Sequence, residues 1–496
     1  MKELIRRISA VLSAALFVVL FGCIGVSAED PYKNYIYDHK QEKKNEPQAY
    51  IPYTVLEGET WGIQGLETPA DLFVAPNGEV YIADTGNDRI LVLSPELSLK
   101  RELNGMRDGE TLIPFRSPTG VFVTEKGYVY VADSGSKNIY ILREDGTHIR
   151  TVSRPENELL DKATDYVPQK IAVDRYDRMY IVAAGVNQGM IELEPDGSFL
   201  SFYGAVTTDQ SFAQTLKRVL SFSGLENLTS YLASHVSIPT EYANLAIDGD
   251  GFVYGVVSML DSDRTIRPNL FVQRLNPRGN DILRHSELPF VGDLPQKSAN
   301  GQTVISKLVD VAVRPFGIYS VLDSNEGRVF TYNSDGELMY VFGGKGEAFG
   351  LTAKPVAVDV TADGRYLLLD AENGRITVYR PTEYGQSVTN AVTAYENREY
   401  ALAGEYWERA MAYTSSSELV LNGVADSLYR RGEYQKAMQY YTLANDQEGF
   451  SLAMKEYRAE LIDRYFIAAV AVLAAAAAAF GVIKAGKKRR AARRGE

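Results

Sequence analysis

Cysteine is all but missing. Cys23 is the only one in the chain, and it lies in the leader "MKELIRRISAVLSAALFVVLFGCIGVSAED", where Lys2, Arg6 and Arg7 precede an apolar stretch and "VSA" precedes Glu29. That is the form of a secretory signal over residues 1–28, cut after Ala28. "LFGC" offers Cys23 as an alternative point of lipidation, but "VSA" is the better cleavage site. A mature chain without cysteine excludes disulfides, thiolate metal sites and thiol nucleophiles. Histidine is almost as scarce: His39, His148, His235 and His285 are never spaced i, i+4, and neither "HExxH" nor "GxSxG" occurs. Nothing therefore points to a zinc hydrolase or a Ser-His-Asp triad.

The far end is apolar and then basic. "YFIAAVAVLAAAAAAFGVI", residues 465–483, is uncharged and long enough to cross a bilayer. "KAGKKRRAARRGE", residues 484–496, carries seven Lys or Arg, so the positive-inside rule makes this tail cytoplasmic. The expectation is a single-pass cell-membrane protein with its N-terminal domains extracytoplasmic. Setting aside the ten cations and two anions of leader and tail, the net charge of −12 becomes about −20 for the exported part. Nucleic acid is not a partner for such a surface; basic proteins, cations and neutral ligands remain open.

What is present is a repeat. "VYIADTGNDRILVLS" (80–94) alternates, turns at Gly-Asn and alternates again, and "VYVADSGSKNIYILR" follows 49 residues later. With Asp84 as the mark, equivalent marks are Asp133, Ala183, Val257, Asp323 and Asp370. Fifteen residues upstream of each stand Pro69, Pro118, Pro168, Tyr242, Leu308 and Pro355. Ten upstream stand Val74, Val123, Val173, Ile247, Val313 and Val360, and three upstream Tyr81, Tyr130, Tyr180, Tyr254, Ser320 and Leu367. Period-2 strands separated by Asp, Asn and Gly turns read as antiparallel hairpins. Three to four strands recurring every 47 to 50 residues, where nothing intervenes, read as propeller blades. Six units close a ring without a free sheet edge, and "YIPYTVLEGETW" (50–61) is placed to supply the outer strand of the sixth.

"TPADLFVAPNGEVYIADTGNDRILVLS" resembles the NHL-repeat pattern almost throughout, and the resemblance covers roughly 50–382. It implies a six-bladed β-propeller and no single function. The fold class expected is mainly β: residues 1–28 signal peptide, 29–49 polar linker, 50–382 propeller, then a small helical domain and one transmembrane helix. An amphipathic insertion at about 205–238, with Phe212, Leu216, Val219 and Leu220 on one face, is expected to pack on blades 3 and 4. In 388–460, Tyr400, Ala403, Trp407 and Ala410 recur 34 residues later as Tyr434, Ala437, Tyr441 and Ala444. This resembles tetratricopeptide repeats, helix pairs that interlock small and aromatic residues.

Two constellations are candidates. Asp84, Asp323 and Asp370 each have an arginine five residues on, Arg89, Arg328 and Arg375, while Asp133 has Asn138. Repetition around a ring argues for turn stabilisation, since an active site needs one copy. "DGDG" at 248–251 resembles a calcium loop but lacks the bidentate Glu, and reads as a turn. The second constellation lies two residues after each proline equivalent, where Asp71, Gly120, Lys170, Asn244, Asp310 and Ala357 converge on the mouth of the central channel. Asp71, Lys170, Asn244 and Asp310 form a possible ligand site there. Sugar-lactonase propellers place a metal at a comparable position, so a divalent cation is a possible cofactor, although Lys170 opposes one. The function expected is a membrane-anchored binding or scaffold protein for a protein or carbohydrate partner. The alternative is a metal-dependent hydrolase or lyase of the lactonase type.

Overall fold

A computed structural model describes residues 31–492 apart from 158–159, 161–164, 187, 205–240, 259–270, 285–290, 295, 298–302 and 305. The leader, the amphipathic insertion, His235 and His285 lie outside the described residues.

Each repeat folds as one antiparallel sheet, and the inner strands of the six sheets neighbour one another in a closed ring. The inner strands are Asp71–Val74, Pro118–Val123, Val167–Val173, Glu241–Ile247, Leu308–Val313 and Pro355–Val360. Blades 1, 2, 3, 5 and 6 have four strands, and blade 4 has three among the described residues. The outer strand of blade 6 is Tyr50–Leu56, paired antiparallel with Arg375–Pro381, so the first strand of the propeller seals its last blade as the sequence suggested.

The recurrent tyrosines are buried between blades: Tyr81, Tyr130, Tyr180 and Tyr254. Blade 5 has Ser320 at this position, and the ring of Tyr366 fills the gap, its hydroxyl 2.6 Å from Ser320 Oγ. Tyr50 packs at 4.9 Å on Tyr366 and at 4.8 Å on Phe342, joining the closing strand to the core.

The described part of the stretch expected as a polar linker, residues 31–49, is folded. Asn34–Tyr37 and Lys43–Glu46 form a hairpin laid on blade 5, with Tyr32, Tyr35 and Ile36 buried and Asn34 Oδ1 accepting from Val341 N. Its anchor is Asp293, whose Oδ1 accepts from the Tyr35 and Tyr37 hydroxyls and pairs with Lys43 at 2.9 Å. Burial pushes the Asp293 carboxyl up, but the Tyr35 hydroxyl, Lys43 and Arg328 outweigh this and hold it below the usual range.

After the propeller come five helices: α1 (Glu383–Glu396), α2 (Tyr400–Met411), α3 (Glu418–Arg430), α4 (Tyr434–Leu443) and α5 (Gln447–Ala492). They begin five residues earlier than the sequence suggested, with the Thr382 hydroxyl capping α1 at Gly385 N. Two residues of the 34-residue register, Trp407 and Tyr441, each lie over a glycine of the following helix, although those glycines are not themselves in that register. Trp407 covers Gly423, where a β-carbon would come within 2.2 Å of the indole, and Tyr441 covers Gly449 in the same manner at 2.4 Å. The helices share one apolar core with blades 5 and 6, running from Tyr366 and Tyr379 through Tyr384, Val388 and Trp407 to Ala453. Helix α5 continues without a break into the apolar run, and it is long and apolar enough to cross a membrane.

Candidate functional site

The six ring positions are equivalent in space. Each pairs with the residue just before its mark: Asp71 with Ala83, Gly120 with Ala132, Lys170 with Val182, Asn244 with Val256, Asp310 with Leu322, Ala357 with Leu369. In five blades the ladder slips immediately before this residue, between Pro118 and Gly120, for example. Such a bulge re-aims the following side chain. Proline supplies it readily, since it has no N–H to give to the ladder.

The structure brings all four polar candidates together, and they bond to one another. Lys170 Nζ lies 2.6 Å from Asp71 Oδ1 and donates to Ala70 O at 2.7 Å. Asn244 Nδ2 donates to Asp310 Oδ1 at 2.5 Å. Lys170 reaches from blade 3 past blade 2 to blade 1, because Gly120 intervenes without a side chain. A β-carbon at Gly120 would meet Gln169 O at 2.5 Å.

The remaining carboxylate oxygens serve the backbone. Asp71 Oδ2 accepts from Val121 N at 2.9 Å, and Asp310 Oδ2 from Val358 N at 2.7 Å. Asp359 Oδ2 accepts from Val74 N at 2.7 Å. Each bond joins one blade to the inner strand of the next. An inner strand is a sheet edge whose outward N–H groups have no ladder partner, so these carboxylates close a gap that the fold itself creates. Burial raises the Asp71 carboxyl against the pull of Lys170, and holds Asp310 well above the usual carboxylate range.

Beyond this ring the channel is a cavity of about 380 Å³, walled by Phe73, Phe122, Ile247, Val313 and Val360 and rimmed by turns that include Lys126, Arg175 and Gly249. Phe73 and Phe122 pack with centroids 4.7 Å apart. Asp359 also lines it, its pKa pushed up to about 7 by burial, against two backbone N–H bonds and with the charge of Asp71 adding to the rise. Asp359 was not among the candidates, although a signal existed. Eleven residues before each mark stand Phe73, Phe122, Ala172, Ala246, Ala312 and Asp359, a single charge in an apolar column.

An unfolded aspartate titrates near 3.9, so native Asp359 holds its proton more tightly than the unfolded chain. Its contribution to stability is full below about pH 4 and is lost as pH rises through about 7. Asp359→Asn is expected to reduce the decline in melting temperature across that window. It should not abolish the decline, because burial also raises Asp426, to about 6, and Glu337. An unchanged slope in D359N would contradict this assignment.

A lactonase-type cation would require open oxygen donors at Asp71, Asn244 and Asp310. The residues do not fit one: an ammonium stands against Asp71, the Asn244 amide donates to Asp310, and backbone N–H groups take the second oxygens. No three His, Cys, Asp or Glu side chains among the described residues converge as metal ligands.

The turn aspartates are fully buried. Each binds the segment that leads into its own blade: Asp84 accepts from Glu67 N, Asp133 from Arg116 N, Asp323 from Lys307 N and Asp370 from Ala353 N. The expected arginine partners are present only in part. Arg89 Nε pairs with Asp84 Oδ2 at 2.7 Å, but Arg375 Nε stands 3.9 Å from Asp370. Arg328 turns away to Asp293, in a segment the repeat did not include. Asn138 donates to Ser136 O instead of bridging to Asp133. "DGDG" is a turn, Asp248 Oδ1 accepting from Asp250 N and Phe252 N. His39 bonds Glu418, and His148 bonds Thr151, both away from the channel lining.

Fold and site define a six-bladed β-propeller whose channel mouth is tied by its own side chains. The chain matches no protein-family model and no curated protein. Among solved structures it is similar to virginiamycin B lyase from Staphylococcus aureus, at 11% identity over 70% of this chain and 87% of that one, TM-score 0.37. A putative gluconolactonase is similar at 12% identity over 68% and 94%, TM-score 0.40. A protein of unknown function from Bacteroides thetaiotaomicron is similar at 12% identity over 70% and 90%, TM-score 0.41.

Proposed function

We propose that this is a membrane-anchored, extracytoplasmic binding propeller of the NHL-repeat type, which presents a rigid surface to a protein or carbohydrate partner at the cell surface. The observation that carries this reading is the continuity of one core from blades 5 and 6 through the helix pairs into α5. Helices that bury apolar faces on a propeller hold it in a fixed attitude, which suits capture or scaffolding more than free diffusion. The helix pairs, tetratricopeptide-like in register, serve as the mount. The channel suits an uncharged ligand with a flat apolar face, since Phe73 and Phe122 line it and Asp359 is only partly ionised near neutral pH.

The test uses the lack of cysteine in the mature chain. Lys126→Cys on the channel rim and Lys487→Cys in the basic tail are treated, on intact cells, with a membrane-impermeant maleimide. The expected result is labelling at 126 without permeabilisation and at 487 only after it. The reverse pattern would contradict a surface-binding role.

A further inference from the structure

A second cavity, of about 890 Å³, lies between the helix pairs and blades 4 and 5. Its lining is cationic in a chain whose overall charge is negative: Arg274, Arg284, Arg398 and Arg430 stand against Asp335 and Glu396. Two of these arginines are already engaged within the fold, Arg274 with Asp248 at 3.2 Å and Arg284 with Asp335 at 2.5 Å. The other two carry the argument.

Repetition separates structure from function here as it does in the propeller. The tyrosine pair of the cleft, Tyr395 and Tyr400, is T-shaped at 5.3 Å, and Tyr429 and Tyr434 repeat it 34 residues later at 5.6 Å. These pairs clasp the two helix hairpins. The turns they clasp are also the same: Arg398 N bonds Tyr395 O and Glu399 N bonds Ala394 O, and then Gly432 N bonds Tyr429 O and Glu433 N bonds Leu428 O. Both turns need a left-handed residue, with φ of 64° at Arg398 and 79° at Gly432. Glycine is the ordinary residue there, because a β-carbon crowds the following carbonyl in the left-handed conformation. The first turn therefore keeps an arginine where the second has glycine, against the backbone preference. Among the described residues, that guanidinium has no partner. Arg430, likewise, stands where the first repeat has Glu396. Arg430 Nε donates to the Tyr395 hydroxyl at 3.0 Å, the guanidinium lies 5.9 and 6.0 Å from the centres of the Tyr395 and Tyr400 rings, and the residue lines the cleft.

Paired guanidinium forks take carboxylates in the plane, and half-buried tyrosine rings at a cleft wall, as Tyr395 and Tyr400 are, offer their open parts to a sugar ring. Among the described residues Ile282 is the only aliphatic side chain in the lining, so these residues form no apolar pocket of the kind that anchors peptides. We propose that it binds a carboxylate-bearing polysaccharide, one uronate seated between Arg398 and Arg430 and its ring against the tyrosines. The site is independent of what the channel does.

The test measures binding of an oligogalacturonate to the full chain in detergent micelles, beside a neutral oligoglucan and poly-glutamate. Arg398→Gly restores the residue that the turn prefers, so its melting temperature should hold or rise while affinity falls about tenfold or more. Arg430→Gln should weaken binding by a similar factor. Oligogalacturonate affinity unchanged in R398G, equal binding of poly-glutamate, or no oligogalacturonate binding by the parent chain would each overturn the proposal.

Discussion

Replacing Lys170 with methionine is expected to destabilise the propeller by about 3–5 kcal/mol at pH 8, as breaking one half of a buried ion pair does. The ammonium and the Asp71 carboxylate are both almost wholly buried, and among the described residues no other cation touches Asp71. Without Lys170, Asp71 keeps only backbone donors, Val121 N on Oδ2 and the amide of Leu72. The loss should be smaller at pH 5. Burial has already raised the Asp71 carboxyl, and removing the cation raises it further, so the acid takes up a proton and sheds the unpaired charge. Adding Asp71→Asn should recover most of the stability at pH 8, because the amide oxygen still accepts from Val121 N. Native-state hydrogen exchange of amides in blades 1 and 3 reads the change locally. Equal losses at both pH values, or no rescue by the second substitution, would mean that the pair does not hold the ring.

Asp84→Ala should cost about 3 kcal/mol, toward the lower end for a broken buried pair, because Arg89 keeps Glu102 at 2.9 Å. The carboxylate also accepts from Glu67 N and Asn87 Nδ2, so its removal strands Glu67 N and Arg89 Nε, while Asn87 Nδ2 keeps Gly65 O. Asp323→Ala should cost less, about 1–3 kcal/mol. It accepts from Lys307 N and Asn325 N but has no cation, and its Oδ2 is unpaired. The difference between the two substitutions reads the side-chain partners of Asp84, the Arg89 pair foremost and the Asn87 bond beside it. Equal costs would assign the whole effect to the backbone bonds and none to the ion pair.

The propeller was legible because its determinants are local and periodic. Alternation sets which face each strand buries, a turn residue sets each reversal, and the proline equivalents mark the register that aims Asp71, Lys170, Asn244 and Asp310 at the axis, with a bulge just before the last three. Their meeting could therefore be read from register alone. What they do on meeting could not, since the Lys170 bond to Asp71 depends on the empty place at Gly120 in the blade between. The Arg328 partner was misplaced for the same kind of reason: Asp293 belongs to a connection without repeat register, and only the closed ring brings it near. The hairpin at 34–46 reads as polar because its outer strand, "KKNE", faces solvent, while its inner strand is buried only by docking on blade 5. Asp359 and Arg398 were visible as departures, a charge in an apolar column and a side chain at a glycine position, but a departure becomes a candidate only when the space beside it is known.

The central claim is that the channel mouth is a self-paired structural ring and not a metal centre. Thermal unfolding of the full chain in detergent with calcium, magnesium, manganese or a chelator tests it most directly, beside the Asp71→Asn, Asp310→Asn double variant. The account predicts no ion-dependent rise in melting temperature in the parent chain and none in the variant. A rise with one ion in the parent chain that disappears in the variant would contradict it and restore the metal-dependent hydrolase or lyase.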